Sequence, residues 1–342
     1  MDRYLRDSFW HLVAHKSELP KSRDYTRLRW LDDDLVIFRD GADVIAFDNR
    51  CPHRGSRFFV NDAGNRPAVC PYHGWSYSAG KMHVTDPSVL TRCSPGDIRL
   101  NKYQVEWCGD FLFVGISPKE SLRDQLGAAA GLLERISRRI VERVDVNQYV
   151  YECDWRVAIE NALEPYHVPL IHPSSLGLLK LDKGRNEFIG INSVWYAEVG
   201  NARMAKQLAG VSRLFSMDYQ YNGYISIFLF PFSMLSSTYG FSYSLQHFFP
   251  SATPSATWFS SRLLAVSRQE GVPWESVESF FASTAKINRQ VFEEDREICR
   301  NVHANAWSSS PPLFYADLEE KVLHFRESYR QAEARMDRVP NA

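Results

Sequence analysis

The chain has 342 residues, and its 40 lysine and arginine residues nearly balance 41 aspartates and glutamates. This balance argues against nucleic acid or an anionic membrane surface as a partner, because both recruit basic proteins. Apolar residues make up 44% of the chain, which is ordinary for a globular protein with a sizeable core. Residues 1–20 carry charges throughout and lack the apolar segment of a signal peptide, so the default expectation is a soluble cytoplasmic protein.

Residues 28–115 are predicted to form a small antiparallel β-domain. Short runs rich in β-branched and aromatic residues alternate there with turn signals such as Asp40-Gly41 and Cys108-Gly109-Asp110. Each of these turns separates two strand-like runs, which is typical of β-hairpins.

A helix is predicted to begin at Ser117. Ser117 can cap it, Pro118 suits the first helical position, and Glu120 completes a capping box. An apolar stripe with spacings of three and four residues continues from there to Ile140. This helix would connect the β-domain to the second half of the chain.

The second half is predicted to combine a sheet with two helical segments. Residues 155–168 have a helical pattern, and Pro165 must end or kink that helix. A long helix is predicted again over residues 273–302. The strand-like segments between them are residues 192–198, 219–230, 242–249 and 257–266.

Two short motifs each contain one cysteine and one histidine. Cys51-Pro52-His53 is followed, after sixteen residues, by Cys70-Pro71-Tyr72-His73. Two such loops can hold a two-iron, two-sulfide cluster, with the thiolates on one iron and the imidazoles on the other. Two cysteines and two histidines also satisfy a structural zinc ion, but zinc fingers place like ligands together. The mixed pairs therefore favour the iron–sulfur cluster, with zinc as the alternative.

A second group of candidate metal ligands lies near the predicted end of the first helix. His167 and His172 are separated by four residues, and Glu164 lies three residues before His167, on the same helical face. Two imidazoles and one carboxylate form the facial triad of non-haem Fe(II) oxygenases. The alternative is a pair of histidines that pack or face solvent without a metal.

The long helix offers the carboxylate that such a triad needs. Asp295 falls on its apolar stripe, four residues after Val291 and three before Ile298, and a buried carboxylate is costly unless it is paired or metal-bound. Asp295 is therefore the predicted third ligand, and a plain acidic surface turn is the alternative. The helix contains four acids at this point: Glu293, Glu294, Asp295 and Glu297.

These motifs resemble those of α-subunits of Rieske non-haem iron oxygenases over nearly the whole chain. The resemblance is strongest in segments 51–55 (CPHRG) and 70–75 (CPYHGW). Segment 160–172 resembles the catalytic-iron motif of the family, with Glu164 where aspartate is commoner. Segment 292–295 resembles, more loosely, the part of the family that carries the third iron ligand.

The resemblance implies an α+β fold with two domains. An N-terminal antiparallel β Rieske [2Fe-2S] domain, with its preceding segment, would occupy residues 1–117. A catalytic domain of the helix-grip (START/Bet v 1-like) type, with an antiparallel sheet around a long C-terminal helix, would occupy residues 118–342. Head-to-tail packing in a homotrimer would bring the cluster of one subunit beside the iron of its neighbour.

The resemblance also implies a role for each candidate residue. Glu164 would bridge two subunits by accepting hydrogen bonds from His73 of one subunit and His167 of the other. Asn161 would be a polar residue near the iron, and a structural role in the helix is the alternative. The implied ligands of the [2Fe-2S] cluster are Cys51, His53, Cys70 and His73. The implied ligands of the mononuclear Fe(II) are His167, His172 and Asp295.

The implied activity is that of a terminal oxygenase, a monooxygenase that uses O2 to hydroxylate or oxidatively demethylate a small organic substrate. The chain has no G-x-G-x-x-G fingerprint, so a separate NAD(P)H-dependent flavin or iron–sulfur reductase, with or without a ferredoxin, would supply electrons. The runner-up is an aromatic-ring cis-dihydroxylating dioxygenase. A Rieske electron carrier and a zinc-stabilised binding module are alternatives from other classes.

Aromatic residues in the second half could line a substrate pocket. Packing in the core of a sheet is the more ordinary role for any one of them. The candidates are Phe228, Phe230, Phe232, Tyr239, Tyr243 and Phe248.

Overall fold

The computed structural model describes residues 1–31, 33–303, 305–308 and 314–336, and it contains two seven-stranded antiparallel sheets. The first sheet has the strand order β1-β10-β9-β4-β3-β2-β5, and a small sheet with the order β6-β7-β8 accompanies it. These strands are β1 (His11–His15), β2 (Asp24–Trp30), β3 (Asp33–Asp40), β4 (Asp43–Asp48), β5 (Ala63–Asn65), β6 (Ala68–Val69), β7 (Ser76–Ser78), β8 (Lys81–His83), β9 (Lys102–Cys108) and β10 (Phe111–Gly115).

The second sheet has the strand order β11-β17-β16-β15-β14-β13-β12, with every neighbouring pair antiparallel. Its strands are β11 (Ile140–Tyr151), β12 (Leu181–Ile189), β13 (Asn192–Val199), β14 (Tyr224–Leu229), β15 (Ser233–Thr238), β16 (Ser242–Pro250) and β17 (Thr257–Val266). The helices of the chain are α1 (Asp2–Ser8), α2 (Leu122–Leu126), α3 (Ala129–Ser137), α4 (Trp155–Leu163), α5 (Val168–Ile171), α6 (Ala202–Ser212), α7 (Glu275–Arg300) and α8 (Glu320–Met336).

The long helix α7 packs on one face of the second sheet. Phe292 of α7 contacts Phe259 of β17 with 4.9 Å between ring centroids, and Phe280 contacts Phe241 at 5.0 Å. Since buried aromatic rings contribute much of the packing energy of a core, these contacts fix the position of the helix on the sheet. The predicted α+β class, a β-domain followed by an antiparallel sheet that holds a long helix, is confirmed.

Strand β1 joins the two halves of the chain. The carbonyl oxygen of Leu12 accepts hydrogen bonds from His247 Nε2 (2.6 Å) and Ser233 Oγ (3.3 Å), both on the second sheet. Trp30 of the first sheet stacks on Phe249 of the second with 5.7 Å between ring centroids. The first sheet thus begins at residue 11, earlier than the predicted core of the β-domain at residue 28.

The predicted continuous helix from Ser117 to Ile140 is wrong. The backbone N–H groups of Ser117 and Lys119 donate to the end of α1 instead, and Ser121 Oγ accepts from Asp124 N (3.1 Å) and caps α2. Gly127, with a φ of 54°, separates α2 from α3. The apolar stripe nevertheless marks buried residues, because two short helices and the start of β11 bury the same side chains.

Three strands (β11, β12 and β15) and three helices (α5, α6 and α8) of the second half escaped prediction. Strands β12 and β15 contain few large apolar residues, and β15 is Ser-Met-Leu-Ser-Ser-Thr. Helix α8 lacks a strong apolar stripe, and α5 is only four residues long. In contrast, α4 ends at Leu163, before Pro165, and α7 covers most of the predicted long helix.

The aromatic candidates for a pocket are core residues. Each of the six is at most 5% exposed, and none lies among the residues that line the cavities near the metal triad described below. Their ordinary role, packing in the core, is therefore the one that the structure supports. Among the described residues, no helix has both the length and the apolar character needed to cross a membrane.

Lys321 of α8 is a buried cation without a counter-ion. Lys321 is only 2% exposed. Its Nζ donates to the carbonyl oxygen (3.3 Å) and to Oγ (3.4 Å) of Ser226. No carboxylate of the described residues forms an ion pair with it. Burial lowers the pKa of Lys321 to about 7.

We expect Lys321 to make the protein more stable as the pH rises from about 7 towards 10. In that window the unfolded chain, in which this lysine has its ordinary pKa, binds more protons than the folded chain. Lys321→Met should remove this slope and raise the free energy of unfolding near neutral pH by a few kcal/mol. Denaturant unfolding at about pH 7 and pH 9 measures both effects, with the exposed Lys206→Met as control. An unchanged pH slope in Lys321→Met would contradict the assignment.

Candidate metal centres

The two cysteine–histidine loops have the same backbone design. In each loop, a glycine follows the cysteine by four residues, and its backbone N–H donates to the carbonyl oxygen of that cysteine. The two bonds are Gly55 to Cys51 (2.9 Å) and Gly74 to Cys70 (3.0 Å). The φ angles of Gly55 and Gly74 are 72° and 74°, a region that residues with a Cβ rarely adopt. The glycines therefore let both loops turn back sharply and present their ligands on the same side.

The thiols and the imidazoles of these loops form two separate pairs. Cys51 and Cys70 are 3% and 2% exposed, whereas His53 and His73 are exposed, with 4.7 Å between their ring centroids. The ring of His53 also stacks on Trp75 at 4.6 Å. A buried thiol pair beneath an exposed imidazole pair suits two metal atoms with different ligands better than one tetrahedral ion.

The Cys51 sulfur is buried in a site that disfavours a free thiolate. Burial raises the pKa of the Cys51 thiol, and the backbone amides of His53 and Arg54 oppose that shift only in part. Cys70, the neighbouring thiol, raises the pKa further. A bound metal would stabilise the thiolate in place of the proton, and the residue types present, two thiols and two imidazoles, fit an iron–sulfur cluster.

The second centre begins where α4 ends. Pro165 disfavours helical geometry for the preceding residue, and Glu164 has extended backbone angles (φ −112°, ψ 142°). In this turn Glu164 Oε2 accepts the backbone N–H groups of Tyr166 and His167, the latter at 3.1 Å. Glu164 Oε1 accepts from His167 Nδ1 at 2.5 Å. The predicted bridging carboxylate therefore fixes the ring of His167 within its own chain.

Three predicted ligands converge on one point. His167 Nε2 and His172 Nε2 are 3.2 Å apart. Asp295 Oδ1 lies 3.0 Å from the Nε2 atom of His172 and 3.6 Å from that of His167. Asn161 Nδ2 donates to the same Oδ1 at 2.8 Å. The structure thus brings together two imidazoles, one carboxylate and the predicted polar neighbour.

Glu294 holds the second histidine from the other side. His172 Nδ1 donates to Glu294 Oε2 at 2.7 Å, and Ser175 Oγ (2.7 Å) and Gln290 Nε2 (2.8 Å) donate to the same carboxylate. Burial lowers the pKa of His172, but Asp295 and Glu294 outweigh it and raise the pKa overall. Burial raises the pKa of Glu294, and its hydrogen bonds outweigh that effect and lower it.

The geometry of these donors fits a divalent metal. Both Nδ1 atoms face carboxylates, so the two Nε2 atoms that face each other are the atoms that a metal would bind. Without a metal, a proton on His172 Nε2 would be shared with Asp295 Oδ1 at 3.0 Å, in line with the raised pKa of His172. Bonds of roughly 2.1 Å at near-right angles around a metal would separate two nitrogens by about 3 Å.

Glu294, Ser175 and Gln290 are functional residues that the sequence analysis did not identify. Glu294 lies at the edge of the apolar stripe of α7, where only its adjacency to Asp295 could have drawn attention. Its partner His172 is 122 residues away in the chain. A metal-bound histidine usually donates its other N–H to a carboxylate, so a search for a second acid beside the third ligand could have found it.

Two connected cavities adjoin the triad. The first, of about 70 Å³, contains the three ligands and Asn161 in its wall. The second, of about 230 Å³, lies between α7 and strands β15 and β16. Tyr224 and Gln246 line both, so the larger cavity continues directly from the metal-binding atoms.

The comparisons with known families match this layout. The Rieske [2Fe-2S] domain matches residues 9–95, and the catalytic domain of ring-hydroxylating alpha subunits matches residues 138–334. The chain belongs to the family of ring-hydroxylating alpha subunits. The Rieske domain of this alpha subunit accounts for the predicted [2Fe-2S] cluster, and its catalytic domain for the predicted mononuclear iron, so both cofactor predictions are confirmed.

Individual relatives of this alpha subunit are more distant. It is 26% identical over 212 residues to the carnitine monooxygenase oxygenase subunit of Escherichia coli (strain K12), covering 58% of this chain and 54% of the relative. It is 31% identical over 187 residues to the N,N-dimethyl phenylurea N-demethylase subunit alpha of Sphingobium sp. (strain YBL2), covering 51% and 40%. Proteins named as dioxygenases match as well. These alignments span about half the length of the curated relatives.

Solved structures support the fold over nearly the whole alpha subunit. The quaternary ammonium Rieske monooxygenase CntA in complex with L-carnitine has a TM-score of 0.76 and 18% sequence identity. That match covers 97% of this chain and 90% of the other. The predicted family is confirmed, and with it the predicted combination of a Rieske domain and a helix-grip catalytic domain.

We expect Glu294→Ala to weaken iron binding at the triad by about 10- to 100-fold, because His172 loses the acceptor that orients its ring. Iron per chain after exhaustive dialysis measures the loss, and the visible spectrum of the cluster should not change. Glu293→Ala is the matched control, since Glu293 is 51% exposed and pairs with Arg296 on the surface. Equal iron retention in the two variants would argue against this role of Glu294.

Proposed function

We propose that this chain is the terminal oxygenase component of a Rieske non-haem iron monooxygenase. It would use O2 to hydroxylate or oxidatively demethylate a small organic substrate, with electrons from a separate NAD(P)H-dependent reductase, directly or through a ferredoxin. The observation that carries this proposal is the convergence of His167, His172 and Asp295 at the end of a cavity large enough for a small molecule.

We assign the metal-binding residues as the sequence predicted them. Cys51, Cys70, His53 and His73 would hold a [2Fe-2S] cluster in residues 1–117. The triad would hold Fe(II) in residues 118–342. The cluster would supply single electrons, and the iron would supply the activation of O2. The donor types of both sites support this assignment, since two thiols with two imidazoles suit a [2Fe-2S] cluster and two imidazoles with one carboxylate suit non-haem Fe(II).

The side chains around the triad would position the reaction. Glu164 and Glu294 keep the Nδ1 protons of the two histidines in place, so both Nε2 atoms remain free for the metal. Asn161 holds the carboxylate of Asp295 by a hydrogen bond of 2.8 Å. Three protein ligands leave coordination positions that face the cavity, where substrate and O2 would meet.

The surface beside each centre supports the proposed head-to-tail homotrimer. Next to Glu164, Tyr166 is 62% exposed and Leu170 is 81% exposed. At the cluster loops, Tyr72 is 54% exposed and Val60 67% exposed. Exposed apolar side chains that flank functional groups are typical of protein–protein contacts. Packing these two surfaces together would bring the exposed His73 of one subunit near Glu164 of the next.

A second candidate function is the cis-dihydroxylating dioxygenase, because relatives of that class also match the chain. Turnover under labelled O2 separates the two activities. We expect one labelled oxygen atom in the product of hydroxylation. After demethylation, the released aldehyde must be trapped as it forms, because its oxygen exchanges with water. Two labelled oxygen atoms on adjacent ring carbons would show that the chain acts as a dioxygenase and not as a monooxygenase.

Metal content tests the oxygenase proposal against the other classes. We expect about three irons per chain and the absorption of a Rieske cluster in the purified, anaerobically handled protein. His172→Ala should reduce the content to about two irons and leave the cluster spectrum intact. Two irons in the unaltered chain would indicate an electron carrier, and colourless protein with zinc alone would indicate a binding module.

Glu164→Gln tests the proposed path between subunits. We expect both metals to remain bound while turnover slows about tenfold or more, because an amide has one acceptor atom and its NH2 end cannot accept an N–H bond as the second carboxylate oxygen does. Oxidation of the pre-reduced cluster on mixing with O2 and substrate, followed by its visible absorption, measures the electron-transfer step. Glu297→Gln, at a side chain 58% exposed, is the control. Unchanged turnover in Glu164→Gln would contradict the proposal that Glu164 bridges two subunits.

A further inference from the structure

We propose that the cavity beside the triad accepts an uncharged molecule with an apolar body and a neutral hydrogen-bonding group, such as an amide or a urea. The same cavity would discriminate against carboxylates. This inference rests on the proposed function, since it names the class of substrate for that site, and it is carried by the side chains that line the larger cavity.

One wall of this cavity is an uncharged polar surface on the inner face of the sheet. Alternate residues of a strand face the same side, and the positions facing the cavity are Ser236 and Thr238 of β15 and Ser242, Ser244 and Gln246 of β16. All five lie where a sheet covered by a helix ordinarily presents apolar side chains. We refer to these five residues as the polar wall.

The polar wall has hydrogen-bonding capacity left for a ligand. Gln246 Nε2 donates to Ser236 Oγ and Ser244 Oγ, each at 3.3 Å, and Ser244 Oγ also lies 3.0 Å from Ser261 Oγ. Gln246 Oε1, in contrast, accepts from no donor among the residues that the structure describes. Because this oxygen borders the cavity, a ligand N–H, or a water held beside the ligand, would hydrogen-bond to it.

The opposite wall is mainly apolar. Ile287, Val291 and Phe280 of α7 face the cavity, together with Met204 and Leu208 of α6. Ile287 is 43% exposed, which is unusual for a side chain on the packed face of a helix and is explained by the open space beside it. A ligand with one apolar side and one hydrogen-bonding side would match the two walls.

Charge decides the class of ligand. No arginine, lysine, aspartate or glutamate is among the described residues that line the larger cavity. Among the described residues that line the smaller cavity, the only such residues are Glu164 and Asp295, and both already bond to the triad histidines or Asn161. A carboxylate would therefore lose its hydration without gaining a cation.

Three small probes of similar size test this class. They are N-methylbenzamide, which is neutral and has an N–H group, phenylacetate, which is an anion, and benzyltrimethylammonium, which is a cation. Calorimetric titration of the anaerobic, metal-loaded enzyme measures binding without turnover. We expect the amide to bind at least about tenfold more tightly than phenylacetate, and more tightly than the cation. Binding of none of the three, or of either ion as tightly as the amide, would overturn the proposal.

Two variants, with a third as control, locate the binding to this cavity. Asn288→Lys places a cation on the α7 side of the cavity and should strengthen phenylacetate binding by about tenfold. Ala282→Lys adds the same charge on an exposed position of α7 outside the cavity lining and should leave it unchanged. Gln246→Met should weaken binding of the amide by about threefold to tenfold, while binding of toluene stays the same. Equal effects of the two lysine variants would show that the probes bind elsewhere.

The failure of this inference is distinct from failure of the proposed function. The number of irons and the cluster spectrum report on the oxygenase assignment, and they do not depend on which probe binds. An enzyme with three irons that prefers phenylacetate or benzyltrimethylammonium would retain the function and lose the substrate class.

Discussion

The two imidazole nitrogens that face each other at 3.2 Å are the arrangement on which the rest of the catalytic half depends. The protein makes this arrangement rigid by giving the far nitrogen of each ring a carboxylate acceptor, Glu164 for His167 and Glu294 for His172. With the far nitrogens held in this way, both near nitrogens and the Asp295 carboxylate lie within a few ångströms of one another. A metal that binds there finds its ligands already oriented by the fold.

The long helix α7 can supply both a ligand and its support from consecutive residues. Successive residues on a helix point about 100° apart, so Glu294 and Asp295 approach His172 from two sides, at Nδ1 and Nε2. Asp295 faces the triad, whereas Glu294 also receives hydrogen bonds from Ser175 and Gln290 near the surface. The difference between the two acids therefore comes from their angle on the helix and not from their chemistry.

The parts of the site that the sequence predicted are those set by short-range rules. The loop ligands Cys51 and Cys70 follow from a local motif, and Asp295 follows from the 3.6-residue period of one helix. Glu294 escaped because its role depends on a histidine 122 residues away, which no local pattern records. The prediction of one continuous helix from Ser117 to Ile140 was wrong for a related reason. Ser117 has all the features of a cap, but a competing bond to α1 and the positive φ at Gly127 give the segment a different path.

Strand β15 escaped prediction for the same reason that its serines are informative. Strand patterns in a sequence rely on apolar residues facing a core, and β15 faces a cavity, so its inward positions are hydroxyls. Elsewhere on the same sheet, where Phe228 and Phe248 face packed side chains, the pattern was recognisable. A buried hydroxyl without a full set of partners costs stability, and a fold retains a row of them only where something else satisfies them. A strand that looks like a loop in the sequence and lies buried in the structure therefore marks where a ligand, and not the protein core, completes the packing.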